Sequence, residues 1–416
     1  MQSLLILGRQ PALGMAEIES LYGADKLQPV GSKAVIVDVD PCLLAFDRLG
    51  GSVRFCKVLT TLDTDDWHKI EKFLLDVSPG HSQNMPTGKM LLGLSLYDFN
   101  VPLKQIEATG LKIKKAIRKT GRPVRLVPNK ETELSTAQVI HNHLTGTNGW
   151  ELIFVKDGPK TVVAQTVKIQ DIESYTKRDR ERPKRDAKIG MLPPKLAQIL
   201  INLASGHIPE DKLESICEIP AEQPLPQPLL GKKVLDPFCG TGVVLQEAIL
   251  MGYGAYGTDI DKRMVDYSQH NVGEWLRSWY DYQTEFDVKT GDATSYKWSM
   301  QQGLNFDFIA SETYLGRPFT AKPTDEILAQ TVAECNLIIK KFLQNISSQI
   351  KSGIRLCIAV PCWQIRPNEF KHLPLIDQIS DLGYNRISFE HVRDEDLVYH
   401  RPDQIVARQL IVIEKD

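Results

Sequence analysis

Four acids stand where chemistry can happen. Asp236 ends the apolar run KVLD and opens the turn DPFCGTG, Asp259 ends AYGTD, Asp292 stands in VKTGDAT, and Glu312 follows FDFIAS at the head of ETYLG. The first run breaks at Asp236-Pro237, turns through Gly240 and Gly242 and enters the helical pattern VVLQEAILMG. A strand, a glycine turn and a helix in one unit bind ligands at the carboxyl end of a parallel strand. A dinucleotide site would carry G-x-G-x-x-G, three glycines that let the backbone approach a pyrophosphate at the helix N-terminus. This turn has two, and Asp236 disfavours a pyrophosphate while favouring a cationic amine or sulfonium. Asp259 is placed to accept from both hydroxyls of an adenosyl ribose, and Asp292 to accept from an adenine amine. A positively charged, phosphate-free adenosyl cofactor suits these residues.

The series DPFCGTG, DID, GDAT and FDFIAS-ETYLG resembles the motif series of class I S-adenosylmethionine methyltransferases. More narrowly it is similar to the THUMP-domain tRNA guanosine methyltransferases, whose usual first motif is D-P-F-C-G-[ST]-G. The resemblance implies S-adenosyl-L-methionine as cofactor. Asp236, Phe238, Gly240 and Gly242 would form the loop around it, Asp259 with Ile260 would hold the ribose and flank the adenine, and Asp292 with Ala293 would hold the adenine. The implied reaction is methyl transfer to the exocyclic amine of a guanosine in tRNA, guanosine-10 being the family's best-known target.

Such an amine is a poor nucleophile because its lone pair is delocalised, so the site must accept its N–H bonds, align the nitrogen with the methyl and exclude water. Family members carry D-P-P-Y-G or N-P-P-Y here, the acid or amide accepting N–H and the aromatic ring stacking on the base. In ETYLG the acid position is Glu312, the two prolines are Thr313 and Tyr314, and the aromatic is Leu315. Glu312 and Tyr314 are therefore the catalytic candidates, one as acceptor and one as stacking face. No general base is required when the amine loses its proton after transfer. Two other readings compete: an RNA-binding scaffold with a vestigial methyltransferase domain, favoured by the loss of both prolines, and a DNA amino-methyltransferase, which would need a target-recognition domain.

These residues need a rigid frame. Residues 191–416 repeat strand and helix and close on two strands, RISFEHVR and QIVARQLIVIEK, which predicts a doubly wound α/β sheet of seven strands with the last antiparallel. That Rossmann-like arrangement is the one class I methyltransferases have. Ahead of it, residues 1–60 read as a small α+β, ferredoxin-like module, and 61–172 as a compact α+β unit of the THUMP-like, RNA-binding kind. Residues 173–190 form a basic linker whose mixed signs and Pro183 predict an extended connector. The stretch PAEQPLPQPLLG reads as a surface connection.

Two basic stretches point to a polyanion. The helix predicted between Pro102 and Pro123 sets Lys112, Lys115 and Lys119 on one face, with Arg118 and Arg122 beside them. The linker adds Arg180, Arg182, Lys184 and Arg185. Both are expected to touch the phosphate backbone, which positions RNA without reading its sequence.

Composition sets the outer bounds. A chain of 416 residues, 42% hydrophobic and 25% charged with a formal net charge of -2, is long enough for two or three ordinary globular domains. Its 7 cysteines show no C-x-x-C pair, so neither a metal site nor a disulfide framework is expected. The start MQSLLILGRQ lacks the features of a secretory signal, and no apolar stretch is long enough for a membrane span. A cytoplasmic protein acting on tRNA, away from membranes, is the expectation. The resemblance leaves open a small activating protein subunit, of the kind the eukaryotic relatives use.

Overall fold

Apolar runs that alternate with helical segments pair as parallel strands, because each crossover returns the chain to the same edge. In spatial order the strands Phe286–Thr290, Gly254–Asp259, Lys233–Asp236, Phe308–Glu312 and Arg355–Arg366 run parallel. Val406–Lys415 and then Tyr384–Arg386 follow, with Val406–Lys415 antiparallel to both neighbours. The seven-stranded, doubly wound sheet expected from the sequence is present, except that the strand expected at RISFEHVR is the short Tyr384–Arg386 and ends where that run begins; short strands Glu369–Lys371 and Val398–Tyr399 are added at the rim. Its strand order reverses between Lys233–Asp236 and Phe308–Glu312, so a crevice opens at their carboxyl ends.

The computed structural model describes residues 2–186, 191–209, 231–282, 284–298, 305–319, 321–367, 369–402 and 404–416. Lys188 and most of the proline-rich connection lie outside these residues. The chain divides into two units. One comprises Met1–Pro11, Asp25–Asp47 and Ser52–Asp171, and the other Ala12–Ala24, Arg48–Gly51 and Ile172–Asp416.

In the first unit the described strands form one sheet, in the order Leu27–Val30, Ala34–Val37, Ser3–Leu7, Ser52–Leu62, Lys160–Ile169, Gly149–Asp157, Met90–Tyr97 and Val124–Leu126. Strands from residues 1–60 and from 61–172 meet where Ser52–Leu62 pairs with Lys160–Ile169. The helices Trp67–Asn84 and Leu103–Arg118 bury Trp67, Ile70, Ile106 and Ile113 in a core shared with Leu92, Leu94 and Phe154. Asp66 starts the first of them by accepting from the His68 backbone N–H at 2.9 Å.

The second unit borrows its remaining pieces from the front of the chain. Glu17, on the helix Pro11–Tyr22, accepts from the backbone N–H groups of Gly50 and Gly51 at 2.9 and 2.8 Å and from Asn202 Nδ2 at 2.7 Å. Arg48 donates to Asn202 Oδ1 at 3.0 Å and to the Tyr253 hydroxyl at 2.7 Å. Glu19 accepts from the backbone N–H of Glu390 and His391. This network explains why LLAFDRLGG, which reads as a helix, forms two short 3-10 turns, Pro41–Leu43 and Phe46–Arg48. The N–H groups of Gly50 and Gly51 are given to Glu17 rather than to a helical ladder.

The linker also departs from the extended form expected of it: Ile172–Arg180 is a helix. Packing overrides the local signal, since Tyr175 is buried with its hydroxyl donating to Gln198, and Arg178 lies 3.5 Å from the buried Glu247. No helix among the described residues is long and apolar enough to cross a membrane.

Replacing Glu17 with Ala strands three buried donors, each worth about 1–3 kcal/mol when left unsatisfied. Glu17→Ala should therefore destabilise the second unit by at least about 2 kcal/mol in urea unfolding followed by tryptophan fluorescence. Unchanged stability would show that this helix is not held by Glu17.

Candidate active site

The first strand delivers Asp236 into a dry position, 2% exposed, where its Oδ1 accepts from Ser311 Oγ at 2.6 Å and from the Phe238 backbone N–H at 3.2 Å. The chain then turns through Gly240 and Gly242, both with positive φ, at 50° and 83°. A side chain on Gly242 would be strained and would meet Ser268 Oγ at 2.9 Å. A Cβ on Gly240 would meet nothing within 4 Å, so this part of the turn faces open space.

Asp259, at the end of the neighbouring strand, braces the turn. Its Oδ2 accepts from the Gly240 N–H and its Oδ1 from the Asp261 N–H, both at 2.9 Å. On the other side, Ser268 Oγ donates to the Gly240 carbonyl at 2.8 Å and Asn271 Nδ2 to the Thr241 carbonyl at 2.9 Å. Ser268 and Asn271 sit where the helix Lys262–Ser268 widens into the π-helical turns Gln269–Leu276, a departure from the regular helix the sequence pattern suggests.

Burial pushes Asp236 from the ordinary 3.8 up to about 7; Ser311 and Phe238 oppose the rise, and the charges of Asp259 and Glu312 add to it. Burial also raises Asp259, against the pull of the Asp261 and Gly240 N–H groups. Among the described residues neither carboxylate pairs with a cation, while Glu312 does. When ionised, these two carboxylates present unmatched negative charge in a low-dielectric setting, which favours a cation over a phosphate. The Cys239 thiol is pushed well up by burial and is a packing residue.

The remaining expected residues follow the ends of three neighbouring strands. Ile260 is 70% exposed directly after Asp259, an apolar face suited to a flat ring. Asp292 is exposed, and its Oδ1 accepts from the Thr294 N–H and hydroxyl, both at 2.8 Å. Ala293 packs into the core beneath that turn, so its methyl is withdrawn from the surface. Phe238 is half-buried and meets Phe342 edge-on at 5.2 Å, which makes it an anchor of the turn.

At the switch-point strand, Glu312 Oε1 accepts from Arg408 Nε at 2.5 Å. The missing prolines of ETYLG are replaced by a tether: the Thr313 N–H and hydroxyl both donate to the Ala359 carbonyl at 3.0 Å. Tyr314 is half-buried, and its hydroxyl donates to Glu334 Oε1 at 3.3 Å.

The basic residues separate into two kinds. Lys115, Arg118 and Lys119 are exposed on or just beyond the helix Leu103–Arg118, and Lys112 is exposed but paired with Glu71 at 2.6 Å. Arg122 is instead knitted to the carbonyls of Ser82, Met85 and Pro86 and to Asn148. In the linker Arg180 and Arg185 are exposed, whereas the Lys184 backbone is pinned to Asn271. Arg182 is 2% exposed with Nη1 on Thr241 Oγ1 at 3.2 Å, a position closed to an RNA backbone. The roles of Ser311, Asn271 and Arg408 and the tethering role of Thr313 are given by no motif in the sequence. Only Arg408 left a signal, as a lone charge inside the apolar run IVARQLIVI, where a buried partner must exist.

Residues 230–404 match the family described as "Methyltransferase domain". The tRNA (guanine(10)-N2)-dimethyltransferase of Methanothermobacter thermautotrophicus is 29% identical over 173 residues, 41% of this chain and 39% of that protein. The enzyme of the same name from Pyrococcus abyssi is 29% identical over 170 residues, with the same coverage of 41% and 39%. The chain thus spans about two fifths of the length of the curated relatives it matches. The crystal structure of TrmN from Thermus thermophilus aligns over 100% of both chains with a TM-score of 0.50 at 16% identity, which shows a shared fold.

A folded pKa raised above the unfolded value means that the stability Asp236 contributes is complete below about 3.8 and is lost as pH rises through about 7. Asp236→Asn keeps the Oδ1 acceptor and cannot ionise. Its melting temperature should therefore gain on that of the wild type between about pH 4 and about pH 7 and keep a constant lead above that, read by differential scanning calorimetry. A pH-independent difference would mean that Asp236 does not titrate in this range.

Proposed function

We propose that this protein is a methyltransferase that moves the methyl group of S-adenosylmethionine to the exocyclic amine of a guanosine in tRNA, of the guanosine-10 type. The observation that carries the reading is the pair Asp236 and Asp259, without a cation among the described residues, beside an open glycine turn and one strand away from Glu312. Unmatched carboxylates fit a sulfonium, and an exposed apolar side chain at Ile260 fits the face of an adenine. The names of the curated relatives support the same substrate.

When bound, the cofactor supplies an electrophilic methyl on a positively charged sulfur. Asp236 and Asp259 would hold that charge, with Phe238, Gly240 and Gly242 shaping the turn, while Asp259 and Ile260 would serve the ribose and adenine and Asp292 with Ala293 the adenine. Glu312 accepts an N–H of the amine and turns its nitrogen towards the methyl; Tyr314 lends an aromatic face, such stacking being worth about 1–3 kcal/mol per base. The methyl would pass to the nitrogen, and Glu312 would keep hold of the N–H until the amine loses that proton after transfer. Thr313 gives the turn the rigidity that the reading as a vestigial scaffold lacks.

In the first unit, residues 61–172 would serve as a THUMP-like RNA-binding part, with Lys115, Arg118 and Lys119 on phosphates and Lys112 exchanging Glu71 for one. Arg180 and Arg185 add exposed charge on the linker. A small activating subunit is an added component to test by reconstitution.

The direct test is transfer of labelled methyl to unmodified tRNA and, in parallel, to duplex DNA, with nucleoside analysis. Label in N2-methylated guanosine of tRNA alone is expected. Label in DNA, or none despite cofactor binding and added partner, would overturn the reading. Charge reversal of Lys115 and Lys119 together should raise the KM for tRNA several-fold and lower the salt dependence of binding by one to two phosphate contacts, with kcat unchanged. An unaltered salt slope would remove this helix from the RNA-contacting surface.

A further inference from the structure

Glu312 is one methylene longer than the aspartate usual at its position, and each added rotatable bond must be fixed if the acceptor is to stand still. What fixes it lies two strands away. Glu312 stands opposite Ala359, and Arg408 stands opposite Pro361. Paired residues share a sheet face, as do residues two apart along a strand, so all four side chains rise on one side with Arg408 diagonal to Glu312. Ala359, fully buried between them, is small enough to leave the gap through which the guanidinium passes. Arg408 is 5% exposed, sets Nε on Glu312 Oε1 at 2.5 Å, and has Nη1 at 3.5 Å from Gln404 Oε1.

The charges around the site are unequal in a useful way. Of the carboxylates Asp236, Asp259 and Glu312, Glu312 alone is paired with a cation among the described residues. A carboxylate whose charge is matched still accepts a hydrogen bond from a neutral N–H through its second oxygen, yet it no longer competes for a cationic ligand.

We propose that Arg408 is the positioning residue of the transfer step: it holds Glu312 Oε1, leaves Oε2 to accept the N–H of the amine, and reserves the attraction for the sulfonium to Asp236 and Asp259. The proposal rests on the role given to Glu312 above and adds a residue that touches neither the cofactor nor the base. It also accounts for a glutamate at this position, because the longer side chain reaches a guanidinium across an intervening strand.

Arg408→Met should lower kcat by about tenfold to a hundredfold, the worth of a charge-assisted hydrogen bond, while the KM for tRNA and the dissociation constant of S-adenosylhomocysteine stay within about twofold. Arg408→Lys should recover part of the loss. In a Glu312→Ala background, followed by single-turnover transfer, Arg408→Met should cost nothing further, since the residue it positions is gone. Wild-type kcat in Arg408→Met, an equal loss in both backgrounds, or a loss carried by KM or cofactor affinity would overturn the proposal. If Arg408→Met melts below the assay temperature, Arg408→Lys is compared in the two backgrounds with the same outcomes. Wild-type transfer by Glu312→Ala itself would be a different failure, that of the role given to Glu312.

Discussion

A carboxylate buried beside two others is the constraint on which the rest of the site depends. Asp236 is held in place by one hydroxyl and one backbone N–H, and its ionised form is opposed by burial and by the charges of Asp259 and Glu312. Each neighbouring feature can be understood as a response. Asp259 spends its oxygens on the N–H groups of Gly240 and Asp261, so its charge is shared with the turn, and Arg408 neutralises Glu312. What is left unmatched is charge beside an open glycine turn, the charge that the proposed cationic donor would match.

The frame around this centre is stitched from distant parts of the chain. The helix Pro11–Tyr22 and the segment Arg48–Gly51 belong with the seven-stranded sheet, through Glu17, Asn202, Arg48 and Tyr253, while the strands on either side of them belong to the front sheet. The two units are therefore interleaved along the sequence. A truncation made at the linker would remove residues that the second unit buries.

What the sequence disclosed was local. The strand, turn and helix around DPFCGTG announce themselves because apolar run, glycine pair and helical period follow one another, and the seven-stranded order follows from repeating that unit. Asp236, Asp259 and Glu312 come together because each ends one of three adjacent parallel strands of the same sheet. The rest depends on contacts between residues far apart. Arg408 lies 96 positions from Glu312, and the burial of Arg182 and the carbonyl contacts of Arg122 cannot be read from charge alone, which counted both as RNA ligands. Tertiary packing likewise made a helix of the linker and broke the helix expected before Gly50.

A direct test of the charge at Asp236 compares S-adenosylmethionine with S-adenosylhomocysteine, which share every group except the methyl and its positive charge. Their dissociation constants, taken by calorimetry from about pH 6 to about pH 8, isolate the attraction between the sulfonium and Asp236 as that residue ionises. If Asp236 attracts the sulfonium, the preference for S-adenosylmethionine grows several-fold across the range in the wild type and stays flat in Asp236→Asn. A preference independent of pH in the wild type, or one that still rises in Asp236→Asn, would contradict it.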